Sequence, residues 1–253
     1  MWKLLYGSAP GTAHAQRGEP CQDYALGEII QVGGETILIA ACADGAGSAA
    51  HAARGAELAC HTLVGLIRAE GGEVGRIDRD QVMAWHARVR ERLAAEAGAR
   101  DADVRELACT LLTAVVGERG AVFTQIGDGA IVTRLGESYQ PVFWPQAGEY
   151  VNTTHFLTDP DYEGRLDFRR IEGRVDELAL FTDGLQMLAL NYGDRSVHAP
   201  FFVPLFRVLR RVKAADELRG PLRDFLTSPA VNGRTDDDKT LVLASRRWPD
   251  DSD

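Results

Sequence analysis

The sequence predicts an α+β fold in which antiparallel sheets are covered by helices. Three observations lead to this class. Short apolar segments with strand character recur along the chain, two of them flank a hairpin turn at Gly117–Gly120, and two amphipathic helices stand apart from them. The 253 residues are also enough to bury a full core without disulfide or metal support.

The first half of the chain contains two strands followed by two helices. Residues 24–30 form a strand near the N-terminus, and residues 36–43 are apolar throughout, as in a strand buried on both faces. In residues 49–68 and 80–98, apolar side chains recur at steps of three and four. We therefore expect two amphipathic helices that each cover a flat apolar surface.

The second half of the chain adds more strands. Residues 110–116 and 121–126 are the two arms of the hairpin, and residues 178–181 and 240–244 are two further strands. Three segments carry a weaker helical pattern: 186–192, 199–212 and 214–227. We expect one domain over residues 1–247, followed by a frayed acidic tail at 248–253.

Composition limits the classes of partner. The net charge of −9 argues against binding to duplex nucleic acid or to an anionic membrane surface, which both require a basic face. The sequence shows neither a signal peptide nor an apolar run long enough to span a membrane. The four cysteines have no CxxC spacing, so neither a zinc site nor a disulfide framework is indicated. These features predict a reduced, cytoplasmic protein.

Several aspartates stand where predicted strands begin or end. Asp44, Asp128 and Asp183 each follow a strand and precede a glycine, whereas Asp23 and the run Asp236–Asp238 come just before strands. In an antiparallel sheet the end of one strand lies beside the start of its neighbour. We therefore expect these carboxylates to meet at one edge.

Carboxylates gathered in this way repel one another unless a cation lies between them. Because the cluster contains neither His nor Cys, oxygen ligation favours Mg²⁺, Mn²⁺ or Ca²⁺ over Zn²⁺. The alternative is that each Asp-Gly pair is only a turn. We prefer the metal site because helices, rather than partner strands, are predicted after Gly45 and Gly184.

The motifs at these positions resemble the metal-dependent serine/threonine protein phosphatases, the PPM or type 2C family. They occur in the order found in that family: Cys21–Tyr24 (CQDY), Ala43–Ser48 (ADGAGS), Gln125–Gly129 (QIGDG), Phe181–Gly184 (FTDG) and Asp237–Thr240 (DDKT). The run Gly148–Leu157 is similar to a bacterial branch of the family. The resemblance implies a four-layer α-β-β-α sandwich of two antiparallel sheets, with a binuclear Mn²⁺ or Mg²⁺ centre at one end.

The resemblance also implies metal ligands. Asp44 would bridge the two ions and the Gly45 carbonyl would bind one of them, while Asp183 and Asp237 would complete the site. Asp128, together with Asp183, would form the third metal position found in many members.

The choice of Asp237 depends on register. The family pattern places the ligand three residues before a threonine, here Thr240. Asp236 and Asp238 remain alternatives that differ by one residue.

Three further residues are candidates for catalysis. The resemblance implies that Asp23 orients metal-bound water, beside Gln22, where many members carry Glu. The phosphate-binding Arg of many members has no counterpart at the usual spacing, so Arg17 is the candidate and His14 the second choice, with a solvated surface residue as the alternative for Arg17. His155 is the histidine to test as a leaving-group acid.

Two divalent ions would supply hydroxide near neutral pH for direct attack on phosphorus. The predicted function is therefore hydrolysis of phosphoserine and phosphothreonine in proteins, in opposition to a bacterial serine/threonine kinase, with that kinase or its targets as the phosphoprotein partner. Two alternatives remain open: a phosphohydrolase of small phosphorylated molecules, and a degenerate phosphatase fold used as a binding module.

Overall fold

The computed structural model of the chain describes residues 1–146 and 154–247. Two five-stranded sheets form its centre, and every strand pair in them is antiparallel. Sheet A has the order β1 (Lys3–Ala9), β12 (Lys239–Ser245), β9 (Glu177–Phe181), β6 (Ala130–Leu135), β7 (Ser138–Phe143). Sheet B has the order β2 (Tyr24–Val32), β3 (Glu35–Ala43), β4 (Leu111–Val116), β5 (Gly120–Ile126), β8 (Asp167–Glu172). A separate short hairpin pairs β10 (Leu190–Asn191) with β11 (Ser196–Val197).

The described part of the chain also contains α-helices and 3-10 helices. The α-helices are α1 (Thr12–Arg17), α2 (Ala52–Glu70), α3 (Arg79–Ala99), α4 (Tyr162–Arg165), α5 (Gln186–Ala189), α6 (Ala199–Arg211), α7 (Arg219–Leu226) and α8 (Pro229–Asn232). The 3-10 helices are Val74–Arg76, Val104–Leu107, Asp183–Leu185 and Ala215–Leu218. None of the helices described is long and apolar enough to cross a membrane.

Alternation along β3 shows how the layers are built. Ile39 and Ala41 face the helices α2 and α3, where they join Leu63 and Trp85 in one core. Leu38, on the other face of β3, lies in the core between the two sheets. A third core packs α6 and α7 against the outer face of sheet A. The predicted four-layer α-β-β-α sandwich is confirmed.

Most predicted elements are present with shifted ends. The helix predicted from residue 49 begins at Ala52, because the backbone before it bonds to the 3-10 helix at 104–107 and its flanks, as His51 N–H does to Glu106 O over 2.8 Å. The helix predicted over 186–192 is wrong beyond Ala189, where the chain enters the β10–β11 hairpin. The segment 214–227 is a 3-10 helix followed by α7 rather than one helix.

Strand β6 is the most informative element that the sequence analysis did not identify. It starts directly after Gly129, and the turn Gly127–Gly129 carries the chain from β5 in sheet B to β6 in sheet A. Strands β1, β7 and β8 and helix α1 were likewise not identified. The predicted frayed tail, residues 248–253, lies outside the described residues.

Strand register brings the functional loops together. Tyr24 pairs with Ala43 and Leu111 with Ile126 in sheet B, while Phe181 lies between Ala130 and Leu241 in sheet A. The residues that follow or precede these pairs therefore emerge at the same end of both sheets, as the sequence predicted.

A buried ion pair holds the other end of sheet A. Glu177 is fully buried and accepts hydrogen bonds from Arg210 Nη1 at 2.6 Å and from the Tyr139 hydroxyl at 2.6 Å. Arg134 Nη1 lies 3.6 Å from the same carboxylate. The carboxylate places a buried negative charge beside both guanidinium groups, and removal of one member of such a group is costly.

We expect Glu177→Leu to lower the free energy of unfolding by about 3–5 kcal/mol, because it removes the negative member of a buried ion pair. Urea denaturation of the variant measures the change. Glu137→Ala, in the exposed turn between β6 and β7, is the control and should change stability by less than about 0.5 kcal/mol. Equal stability of the two variants would show that the buried pair contributes little.

Candidate functional site

Three aspartates from three different loops converge at the common strand end. Asp44 follows β3, Asp128 lies in the turn between β5 and β6, and Asp183 follows β9. Each offers a carboxylate oxygen, and these oxygens all lie within 4.8 Å of one another. This spacing is suited to binding of a cation by several carboxylates at once.

The three carboxylates open into a cleft of about 330 Å³. Its lining contains Ala13, His14, Arg17, Asp44, Gly45, Ala46, Gly47, Asp128, Thr154, Phe156, Asp183, Asp236 and Asp237. All five predicted metal ligands thus face one cavity, which they share with Arg17 and His14.

Burial and like charge act together on these carboxyl groups. Burial is the main cause that raises the pKa of Asp183 to about 7, and the neighbouring Asp128 and Asp237 add to the shift. Burial, followed by the charges of Asp23 and Asp183, raises the pKa of Asp44 well above its usual range. Burial also raises the pKa of Asp128. Each carboxylate is costly to ionise here without a compensating positive charge.

Two carboxylate oxygens also lack partners. Oδ1 of Asp128 and Oδ1 of Asp183 are buried and accept no hydrogen bond from the described residues. Buried polar atoms are normally paired, so unpaired oxygens pointing into an acidic cluster suit a bound cation. The donor set consists of oxygen alone, and it therefore fits a hard divalent ion.

Threonine side chains fix the loops that carry the aspartates. Thr110 Oγ1 accepts from Asp44 N–H at 2.8 Å, and Thr110 N–H donates to the Asp44 carbonyl at 2.8 Å. The Thr154 hydroxyl donates to Asp128 Oδ2. The Gln186 side chain donates to the backbone carbonyl of Asp128.

Two of these loops require glycine, one because two backbones approach closely and one because of its backbone conformation. A Cβ atom at residue 184 would lie 2.0 Å from the Asp238 carbonyl oxygen, which brings the loops after β9 and before β12 into direct contact. Gly127 has a φ of 104°, a conformation that side chains other than glycine rarely adopt.

Asp23 lies behind the cleft and does not line it. Its Oδ2 accepts a hydrogen bond of 2.7 Å from the Thr182 hydroxyl, which in turn accepts from Thr240 N–H at 3.0 Å. Burial raises the pKa of Asp23 to about 8, although the hydrogen bonds from Thr182 and Thr240 lower it. Asp23 is thus linked to the loop that carries Asp183, because its partner Thr182 directly precedes Asp183 in the chain.

The three consecutive aspartates before β12 have different surroundings. Asp236 and Asp237 are exposed and line the cleft. Asp238 is buried and points to the N-terminal segment, where it accepts hydrogen bonds of 2.6 Å each from Gly11 N–H and Gln22 N–H. Asp238 is thus occupied by backbone donors from the N-terminal segment, whereas Asp237, whose Oδ1 accepts from Asp238 N–H at 2.8 Å, lines the cleft.

The predicted catalytic residues are placed unequally. Arg17 lines the cleft, with its Nε 2.7 Å from Glu19 Oε2. His14 also lines the cleft but is buried against Asp238. Burial raises the pKa of Asp128, and the nearby His155 acts in the opposite direction. His155 itself does not line the cleft, whereas its neighbours Thr154 and Phe156 do.

Sequence reasoning missed the supporting residues of the site. Thr182 could have been found, because it directly precedes Asp183 at the end of a buried strand. Thr154 falls in the run 148–157 that was singled out, of which residues 148–153 lie outside the described part. No local pattern marks Gln186 or Thr110, which act through contacts made only in the folded chain.

Comparisons with known proteins agree with this geometry. The family model described as "Protein phosphatase 2C" matches residues 10–224. "Serine/threonine-protein phosphatase 3" of Escherichia coli (strain K12) is 43% identical over 250 residues, which cover 96% of this chain and 98% of that protein.

Solved structures share the fold at low identity. A bacterial serine phosphatase aligns over 100% of both chains with a TM-score of 0.62 and 16% identity. A serine/threonine phosphatase from Staphylococcus aureus aligns over 98% of this chain and 96% of its own, with a TM-score of 0.61 and 16% identity. The same sandwich therefore occurs in bacterial phosphatases.

In the metal-free protein we expect the free energy of unfolding to fall as the pH rises from about 4 to about 8. Asp23 and Asp183 have pKa values of about 8 and about 7 in the folded chain. In the unfolded chain aspartate carboxyl groups have a pKa of about 4. The folded state therefore binds more protons in this interval, and a rise in pH favours unfolding. Urea denaturation in chelator measures the slope.

The matched control is Asp183→Asn, which removes one of the titrating groups and should make this slope shallower. Added Mn²⁺ should stabilise the wild-type protein more as the pH rises, because a cation binds the ionised carboxylates. Identical slopes in the two metal-free proteins would contradict the assigned protonation.

Proposed function

The chain belongs to the protein phosphatase 2C family, and from that premise we propose that the carboxylates at the strand ends hold two Mn²⁺ or Mg²⁺ ions for hydrolysis of phosphoserine and phosphothreonine. The family is metal-dependent, and the chain is a serine/threonine protein phosphatase. The single observation that carries the proposal is the convergence of Asp44, Asp128 and Asp183 within 4.8 Å, two of them with unpaired buried oxygens.

We assign the metal ligands as follows. Asp44, the Gly45 carbonyl, Asp183 and Asp237 would hold the two ions, with Asp44 central to both. Asp128, together with Asp183, would hold a third ion. Support comes from the cleft, which all five residues line, and from a donor set made only of oxygen.

The chemistry that divalent cations supply at such a site is a lowered pKa for water, which makes hydroxide available near neutral pH, and neutralisation of charge on phosphoryl oxygens. The protein keeps the ligands in place. Asp23 would orient water through its fixed position, since its carboxylate is bonded to Thr182 next to Asp183.

Arg17 is the proposed phosphate-binding residue. It lines the cleft, and a guanidinium group can bind two phosphoryl oxygens at once. Its present partner is Glu19 at 2.7 Å, so binding of substrate requires exchange of one anion for another. His155 stays a prediction as leaving-group acid.

The substrates are phosphoproteins, as the activity of the family requires. Phosphoserine and phosphothreonine are products of protein kinases, so we infer that the enzyme opposes a bacterial serine/threonine kinase and acts on that kinase or its targets. We infer a cytoplasmic location, and the four cysteines, all free, are consistent with such a reducing compartment.

We further propose that residues 1–247 act as one phosphatase domain. The first and last strands of this range, β1 and β12, pair over seven residues from Lys3–Ser245 to Ala9–Lys239. Metal loops from both sheets meet at one end, so neither sheet could form the site alone.

The activity test uses a phosphoserine peptide with Mn²⁺, with chelator, and with the variant Asp183→Asn. We expect chelator to abolish turnover and the variant to lower kcat by about 100-fold or more, equivalent to about 2.7 kcal/mol, because a charged ligand is lost. Asp224→Asn, on the exposed face of α7, is the control and should retain full activity. Chelator-resistant turnover, or full activity of Asp183→Asn, would contradict the metal mechanism.

The assignment of Asp237 is tested by metal affinity rather than activity. Asp237→Asn should weaken Mn²⁺ binding by about tenfold or more, which corresponds to about 1.4 kcal/mol. Asp236→Asn, a change of the same kind one residue away, should have a smaller effect. Isothermal titration calorimetry with both variants measures the difference, and a larger loss in Asp236→Asn would move the ligand by one residue.

A further inference from the structure

His14 forms a buried pair with an aspartate beside the metal loops. The imidazole belongs to α1, and its side chain is only 9% exposed. Its Nδ1 is buried and lies 2.9 Å from Asp238 Oδ1, at ion-pair distance but without hydrogen-bond geometry. The other ring nitrogen, Nε2, lies 3.8 Å from Glu19 Oε2, which is beyond hydrogen-bond distance.

The aspartate of this pair is rigidly held. Asp238 accepts from Gly11 N–H before α1 and from Gln22 N–H after it, each at 2.6 Å. Helix α1 also lies directly on the metal loop, because Ala13 N–H donates to Asp236 O at 3.0 Å. A carboxylate fixed in this way holds the imidazole next to it by charge, since the 2.9 Å contact between them lacks the alignment of a hydrogen bond.

Because Nδ1 lies against Asp238, Nε2 is the nitrogen left for a substrate. His14 lines the same cleft as Asp44 and Asp183, and it lies one helical turn from Arg17. The described charged groups around it are Asp238 on the Nδ1 side, Glu19 and Arg17 on the α1 side, and Asp236 and Asp237 on the loop before β12.

Hydrolysis of a phosphoserine ester in this cleft needs a proton on the seryl oxygen that leaves. When hydroxide attacks phosphorus, the bond from phosphorus to the seryl oxygen breaks and its electron pair stays on that oxygen. A seryl alkoxide is a poor leaving group, and a positioned acid commonly contributes about 100- to 10,000-fold to such a step.

We propose that His14, rather than His155, donates the Nε2 proton to the departing seryl or threonyl oxygen, acting as an imidazolium that is protonated on both nitrogens and paired by charge with Asp238. This inference rests on the phosphatase function proposed above. The proton from Nε2 forms the new O–H bond of the seryl product, phosphorus gains the hydroxide oxygen as inorganic phosphate, and His14 regains a proton from solvent. His14 is then a catalytic residue and Asp238 a positioning residue.

The test compares two substrates whose leaving groups differ. A phosphoserine peptide needs a proton on its leaving oxygen, whereas p-nitrophenyl phosphate releases a stable phenolate without one. With Mn²⁺ present, His14→Gln should lower kcat for the peptide by about 100-fold or more and kcat for p-nitrophenyl phosphate by less than about threefold. His61→Gln, on the exposed face of α2, is the matched control and should change neither rate.

A second variant separates a chemical from a structural role. His14→Ala should lose peptide turnover in the same selective way, and imidazole added to the buffer should restore it in part. Imidazole should not restore Asp183→Asn, which lacks a proposed metal ligand instead.

Equal losses on both substrates, no loss on either, or absence of imidazole rescue would each overturn the role of His14. A selective loss in His155→Gln but not in His14→Gln would assign the proton to His155 instead. If the wild-type protein with Mn²⁺ fails to hydrolyse the phosphopeptide at all, the proposed function fails and not only this inference.

Discussion

Mutual repulsion among carboxylates at one end of the sandwich is the constraint on which the site depends. Asp44, Asp128 and Asp183 cannot separate, because each is fixed to the end of a paired strand. Burial prevents water from screening them, so their pKa values rise and two oxygens stay without partners. A divalent cation is the partner that satisfies both the charge and the open coordination.

The rest of the fold offsets the free-energy cost of that charge repulsion. The three large apolar cores of the described residues, one under each helical layer and one between the sheets, hold the strands in register. The turn at Gly127–Gly129 joins the two sheets, so aspartates from both reach the same cleft. The buried Asp238 joins the loop before β12 to the residues on either side of α1, and so places this helix at one side of the cleft. A rigid scaffold that carries carboxyl groups with raised pKa values at one end is a common arrangement in enzymes.

The sequence predicts the carboxylates well, because Asp-Gly after a buried strand is a local pattern. Asp44, Asp128, Asp183 and Asp237 all line the predicted cleft. Helix α1 escaped prediction because its six residues are too few to show apolar periodicity. Asp238 could not be distinguished from its neighbours, since its role depends on Gly11 and Gln22, more than 200 residues away in the chain. Contacts of that kind exist only after the sheets have formed.

The central claim is that the common strand end binds metal ions through these aspartates. Crystals grown with Mn²⁺ and measured at the manganese absorption edge test it most directly, since anomalous scattering locates the ions without any assay of activity. We predict two strong peaks in the cleft, one on each side of Asp44, with Asp183 and Asp237 at direct or water-mediated ligand distance. A cleft without manganese, or manganese bound only elsewhere on the protein, would contradict the claim.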